Sequence, residues 1–407
     1  MLTKEENERL TRVGPGTPAG ELLRRYWHPV AIARELTDDR PTKFVRILGE
    51  DLVLFKDKSG NVGLMQDHCV HRGASMLYGR VEERGIACAY HGWLYDTKGN
   101  CLETPAEPAD SKFYLTVKAK AYPVKKFIGM YWAYLGPLPA PEIPQYDVWA
   151  RKDGIRKLAV YPQLDCNWLN PTENSVDPAH LQILHQEFIG RGKKPPSTTR
   201  GFTDDVRDFV FYESDYGIVK KRTYANGHVD QHPLIFPNIL RQANATQLRV
   251  PMDDTHTNVF FVYFLPIEQE GYSDDDPDVI IVPPFKDPVD QLHPFTRFKL
   301  DQVLAQDHMA WETQGAIADR EHERLATSDR GVAMLREVLK REIDKVERGL
   351  DPLAVVRDPN HGIINTFLTE SLAEGWYDPA GRGGPTVAKA DDWFDPGAEG
   401  AREAAKV

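Results

Sequence analysis

Between positions 43 and 65 short apolar alternations are cut by turns. Residues 44–48, 52–55 and 62–65 are separated by Gly49-Glu50-Asp51 and by Asp57-Lys58-Ser59-Gly60-Asn61, the pattern of an antiparallel meander. Further short strands are predicted around residues 86–95 and 119–134, so a small all-β unit spans roughly the first 140 residues. The run Gly136-Pro137-Leu138-Pro139-Ala140-Pro141-Glu142-Ile143-Pro144 cannot continue a ladder and marks a linker. Beyond it, residues 174–188 suit a helix, whereas 202–224 and 247–265 alternate like long strands. From 295 to 345 the period becomes helical, with Phe298, Val303, Leu304, Met309, Trp311, Ile317 and Leu325 near one face. Strands followed by a late helix predict an α+β unit, a helix laid on an antiparallel sheet. The expected division is 1–140, 141–377 and an acidic Pro/Gly-rich tail at 378–407, with an exposed loop around Ser273-Asp274-Asp275-Asp276.

A chain of 407 residues, 41% apolar and 10% aromatic, can fill two cores. Its net charge of −11 is spread with both signs interspersed, so no basic stripe offers itself to a phosphate backbone and nucleic acid is excluded as a partner. The first residues, Met1-Leu2-Thr3-Lys4-Glu5-Glu6, carry charges where a signal peptide needs an apolar stretch. No apolar run reaches the ~18 residues of a membrane helix. These features predict a cytoplasmic protein with no membrane partner. The four cysteines, at 69, 88, 101 and 166, are too sparse for a disulfide framework. Cys101 and Cys166 read as small core residues.

The other two cysteines change the picture. Cys69-Val70-His71 is followed, sixteen residues on, by Cys88-Ala89-Tyr90-His91, each pair at the tip of a predicted hairpin, with Gly73 and Gly92 just after. Two thiolates and two imidazoles can serve the two irons of one [2Fe-2S] cluster, the imidazoles raising its potential by lowering the negative charge around it. Tetrahedral zinc would accept the same four ligands, but zinc fingers group cysteines with cysteines and histidines with histidines.

A second constellation follows in Asn170-Pro171-Thr172-Glu173-Asn174-Ser175-Val176-Asp177-Pro178-Ala179-His180-Leu181-Gln182-Ile183-Leu184-His185. Asp177 and Pro178 suit a helix start. On a regular helix His180 and His185 would lie roughly 140° apart, so joint metal binding needs a distorted helix or one that ends near His185. A carboxylate would complete a two-histidine, one-carboxylate Fe(II) triad. Asp307 is the best placed donor, with Asp301 and Glu312 as competitors.

With Arg72-Gly73 and Gly92-Trp93 flanking them, the paired motifs resemble those of Rieske non-haem iron ring-hydroxylating oxygenases. Asn174-x-x-Asp177-x-x-His180-x-x-x-x-His185 is similar to that family's iron motif. The segments Gly16-Thr17-Pro18-Ala19-Gly20-Glu21, residues 250–257 and 306–329 resemble its phthalate-dioxygenase-like branch. The resemblance implies a helix-grip, START-like catalytic fold and iron ligands His180, His185 and Asp307. It gives Asp177 a catalytic role, bridging His180 to His91 of a neighbouring subunit in a homotrimer or hexamer. It also implies a flavin reductase, with or without a ferredoxin, that feeds electrons through the cluster to the iron. O2 is then the co-substrate, and NAD(P)H enters only through the reductase. Members of this branch take aromatic carboxylic acids, some by cis-dihydroxylation, others by oxidising a methoxy methyl that leaves as formaldehyde. A buried carboxylate calls for arginine. Arg241 and Arg249 are the candidates, Arg200 and Arg222 the weaker ones. The preferred expectation is O-demethylation of a lignin-derived methoxylated acid, with ring dihydroxylation second. A Rieske electron carrier without an enzymatic site is the alternative of another class.

Overall fold

A computed structural model describes residues 1–185, 206–224, 227, 229–267, 269–289, 291–292, 297–300 and 302–366. Asp301, Arg200, the far end of the expected 174–188 helix, the start of the 202–224 segment and the 378–407 tail lie outside these.

The chain opens with helices α1 (Lys4–Thr11) and α2 (Pro18–Leu23). Thr3 and Glu6 cap α1 reciprocally, and Thr17 with Pro18 starts α2. The expected meander follows as β2 (Thr42–Ile47), β3 (Glu50–Lys56) and β4 (Val62–Gln66) after β1 (Trp27–Ile32), and β9 (Ala121–Tyr122) completes that sheet. A second four-stranded sheet contains β5 (Arg80–Glu82), β6 (Gly85–Ala87), β7 (Leu94–Tyr95) and β8 (Cys101–Glu103). β10 (Val124–Phe127) and β11 (Met130–Tyr134) pair with β1. The Pro-rich stretch forms no strand, but it is anchored: Trp27 Nε1 donates to the Pro141 carbonyl at 2.9 Å and the Tyr134 hydroxyl to that of Pro137 at 3.0 Å.

The second half is built on an eight-stranded sheet in the order β13-β14-β15-β16-β17-β18-β12-β19. These are β12 (Ile155–Leu164), β13 (Val206–Ser214), β14 (Gly217–Tyr224), β15 (Val229–Ile235), β16 (Ile239–Gln242), β17 (Ala245–Pro251), β18 (Thr257–Leu265) and β19 (Asp278–Ile281). All neighbours are antiparallel except β12 and β19. Register assigns two faces, because cross-strand partners share a side. One carries Leu158, Thr246, Leu248, Phe260 and Val262 and packs on short helix α3 (Asp147–Ala150), whose Trp149 donates to Thr246 Oγ1. The other carries Ala159, Ala245, Val259, Phe261 and Tyr263 and packs on Trp311 and Leu304 of α6 (Val303–Glu312).

One expectation is corrected. The stretch 295–345 is not one helix: α6 ends at Glu312 and α7 (Arg330–Glu347) begins eighteen residues later. The break lets Asn170 Nδ2 donate to the carbonyls of Trp311 and Gly315, which are orphaned where α6 ends, and Gly315 takes the left-handed φ of +98° there. The two units share one apolar cluster, while a smaller one around Val53, Cys69, Cys88 and Tyr95 stays within the first. The largest apolar cluster runs from Leu10 and Leu22 through Trp132 to Phe260 and Leu339, and α1 is tied to α7 by Arg9–Asp344 and Lys340–Glu6 ion pairs. Among the described residues no helix is long and apolar enough to cross a membrane.

Candidate metal centres

Residues 69–74 and 88–93 form two loops with one hydrogen-bond pattern. In each, the cysteine carbonyl accepts from the glycine four residues on (Gly73 to Cys69 at 2.8 Å, Gly92 to Cys88 at 2.9 Å). The cysteine N–H in turn donates to the next residue's carbonyl (Ala74 and Trp93, each 2.9 Å). Both turns close through a left-handed glycine, φ +75° at Gly73 and +73° at Gly92, where a side chain would be strained. The loops thereby hold both cysteines buried and present His71 and His91 near the surface, their rings 4.6 Å apart. His71 stacks on Trp93 at 4.3 Å and 8°. The thiols are unbridged, and Cys69 Sγ lies 3.4 Å from the Tyr95 hydroxyl. Burial pushes the Cys69 thiol's pKa up, a cost that a bound ferric ion would remove. Cys101 packs in the same small core.

The two imidazoles stand together and both cysteines lie buried in the loops behind them, a sorting by ligand type that suits a cluster with two thiolates on one iron and two imidazoles on the other. Among the described residues three further side chains converge, their ligand atoms within 4.8 Å of one another.

The converging group is His180, His185 and Asp307. It is assembled by α4 (Leu169–Asn174), α5 (Ala179–Ile183) and α6. Instead of one helix from 174, the chain turns between α4 and α5. Asp177 Oδ1 accepts the N–H of Ala179 at 2.8 Å and so starts α5. The helix ends at Ile183, which frees His185 from helical phase, and the two imidazoles stand 5.6 Å apart at 80°. Nε2 of His180 and of His185 lie 3.9 and 3.3 Å from Asp307 Oδ1. Behind the rings, His185 Nδ1 donates to Gln306 Oε1 at 2.8 Å, which fixes the tautomer that leaves its Nε2 lone pair for a metal. His180 Nδ1 faces Asp177 Oδ2 at 3.3 Å without a hydrogen bond. Asp307 Oδ1 is buried with no hydrogen-bond donor, which is costly unless a cation sits against it. Two imidazoles and one carboxylate suit Fe(II).

Electrostatics agree with this arrangement. Burial disfavours charge on His185, but Asp307 beside it more than offsets this and holds its pKa above the ordinary value. Burial opposes ionisation of Asp177 as well, and His180 with the Ala179 N–H keeps its pKa low. Behind α4, Glu173 sits between Arg320 at 2.8 Å and Arg336 at 2.7 Å, a buried triad that pins α4 to α7.

The Rieske [2Fe-2S] domain family matches residues 26–127. Over 392 residues, 92% of this chain and 89% of the relative, the sequence is 39% identical to the 5,5'-dehydrodivanillate O-demethylase oxygenase subunit of Sphingobium sp. (strain NBRC 103272 / SYK-6). The chain belongs to the Rieske non-haem iron oxygenases. It is also 33% identical to the phthalate 4,5-dioxygenase oxygenase subunit of Pseudomonas putida, over 83% of this chain and 85% of that one. The terminal oxygenase of carbazole 1,9a-dioxygenase from Nocardioides aromaticivorans IC177 shares the fold at TM-score 0.57 and 19% identity, over 86% of this chain and 98% of that one. The protein is therefore an oxygenase that uses a Rieske cluster and a mononuclear iron, and the reading as an electron carrier without an enzymatic site is set aside.

The arginine expectations fare unequally in this oxygenase. Arg241 pairs with Thr246 across β16 and β17, which puts it on the α3 face, away from the iron ligands. Its guanidinium engages Asp147 at 2.9 Å and Thr366 at 3.3 Å, an internal ion pair. Arg249 is on the α6 face. It donates to Ser175 and to Gln247, lies 5.7 Å over the Trp311 ring, and thereby ties α4 to the sheet and α6. Burial pushes its pKa down to about 9, against the pull of Asp307. Arg222 holds Asp230 in a bidentate pair at 2.7 and 2.5 Å. Glu312 turns to Lys286. Gln306 was missed by sequence reasoning, although it directly precedes Asp307.

Proposed function

We infer that this chain is the oxygenase component of an aryl-ether O-demethylase acting on a methoxylated aromatic acid of the lignin-derived type. Cys69, His71, Cys88 and His91 hold the cluster in this reading, and His180, His185 and Asp307 hold Fe(II). When bound, the two groups supply electron storage and the reduction of O2. The balance is Ar–OCH3 + O2 + 2 e⁻ + 2 H⁺ giving Ar–OH, formaldehyde and water, with the electrons from NAD(P)H through a flavin reductase, with or without a ferredoxin.

The chain's own residues do the positioning. Asp177 and Gln306 orient the two imidazoles, and Arg249 fixes Ser175 and Trp311 relative to the sheet. Tyr161, Phe261, Tyr263, Phe285 and Trp311 form an aromatic wall on the same face, suited to a flat ring and to excluding water. Asp177 keeps its side chain about a quarter exposed while touching His180, and His91 stands at a loop tip bordered by exposed Tyr90 and Val70. That favours a ring of subunits, a trimer or a stack of two, in which Asp177 of one copy meets His91 of the next.

The observation that carries the reaction type is the 39% identity spread over 92% of the chain, catalytic unit included. Ring dihydroxylation of a phthalate-like acid is the second reading, favoured by the 33% identity to a phthalate dioxygenase. Reconstituted enzyme with reductase, given vanillate-type, biaryl and phthalate acids, separates them: formaldehyde matching O2 uptake supports demethylation, and a cis-diol without formaldehyde supports the alternative.

A further inference from the structure

On β14 the residues Ile218, Lys220 and Arg222 share one face, so two cations follow one apolar residue on it. Lys220 is 3% exposed. Its cross-strand neighbours are Phe211 on β13 and His232 on β15. The Phe211 ring closes on Gly331 of α7, where the Val176 carbonyl also closes in, so this face lies beneath the α4–α5 turn that carries Asp177. Asp177, Asp230, Arg222 and Arg249 all act electrostatically on Lys220. Among the described residues it nevertheless has no hydrogen bond and no ion pair. Asp230 is taken by Arg222, and Asp177 by His180 and the Ala179 N–H. A buried ammonium without a partner opposes folding and persists only where something else requires it. Burial pushes its pKa down to about 7 and Arg222 works in the same direction, so an arriving anion would restore the charge.

We propose that Lys220 is the anchor for an anionic group of the substrate, an aromatic carboxylate held beneath the Asp177 turn. This rests on the aromatic-acid reading above and deepens it. Of the arginines that sequence reasoning favoured, Arg241 pairs with Asp147 on the opposite face, and Arg249 donates to Ser175 and Gln247. An ammonium on a four-carbon stem binds as a point charge and tolerates acids of different outline.

The test measures anaerobic calorimetric binding of 4-methoxybenzoate and of the neutral 4-methoxybenzamide to the iron-loaded enzyme and to its Lys220→Met and Lys220→Arg variants. Loss of one buried charge-assisted bond should weaken the acid roughly 10- to 150-fold in Lys220→Met and the amide by less than about threefold. Lys220→Arg should keep the preference for acid. Iron content and the cluster spectrum should not move, and substrate-free Lys220→Met should melt no lower than wild type, since an unpaired buried charge has gone. The proposal is overturned if wild type binds acid and amide alike, if Lys220→Met keeps its acid affinity, or if it loses iron. Acid binding through Lys220 without formaldehyde release would leave this assignment standing while the demethylase reading failed.

Discussion

The four side chains proposed as ligands of the first centre lie between positions 69 and 91, on two loops that repeat one hydrogen-bond pattern, and its histidines face outward. The three of the second come from positions 180, 185 and 307, on α5, its end, and α6, and they converge only because several buried polar contacts hold those helices in place. A site written in local loops depends on its own turns. A site written across the fold depends on residues that never touch the metal, so substitutions at a distance should damage the second centre and spare the first.

The largest effect expected is at the local site. Cys88→Ala should bleach the visible spectrum and drop iron from about three to about one per chain, abolishing turnover while the mononuclear ion remains. At the dispersed site Gln306→Ala, which removes the acceptor behind His185, should lower mononuclear iron affinity roughly 10- to 100-fold with the cluster's EPR unchanged. Asp177→Asn should leave both metals in place and slow electron passage between them by roughly 10- to 100-fold, read by rapid mixing of reduced enzyme with O2 and substrate. Equal iron loss at both centres in any of these variants would remove the distinction between them.

Glu173→Gln sharpens the comparison through stability. Two arginines lose their shared carboxylate, and breaking such a buried network costs about 3–5 kcal/mol, visible as a lower melting temperature. Burial works against the Glu173 anion, but Arg320 and Arg336 hold its pKa below the ordinary 4.5. Its stabilisation is therefore complete above about pH 4.5 and lost as pH falls through the lower folded value, so the variant should show a flatter acid limb. The smallest effect belongs to Tyr95→Phe. It deletes a hydroxyl 3.4 Å from Cys69 Sγ and should lower the cluster potential by about 40 mV, the worth of one ordinary hydrogen bond.

Legibility in the sequence followed the same divide. The meander and both cysteine-histidine loops were readable because turns, alternation and ligand spacing are local. His180 and His185 were readable as a pair, and their phase required either a distorted helix or one that ends near His185, of which the structure shows the second. The break after Glu312 was not, since the Trp311 and Gly315 carbonyls it leaves open are met by Asn170 from 141 and 145 residues away. Arg241 and Arg249 look alike in sequence, and only the register across β16, β17 and β18 sends them to opposite faces. Lys220 had a faint signal, a cation in step with Ile218 and Arg222, but its lack of a partner appears only once β13, β15 and the Asp177 turn surround it.

The most direct test of the account is iron quantification with cluster EPR on wild type and on the His180→Ala/His185→Ala double variant. Two separate centres require about three irons per chain falling to about two, with the cluster signal intact and turnover gone. A variant that keeps all its iron and its turnover, or a wild type that carries zinc between Cys69 and Cys88, would contradict it.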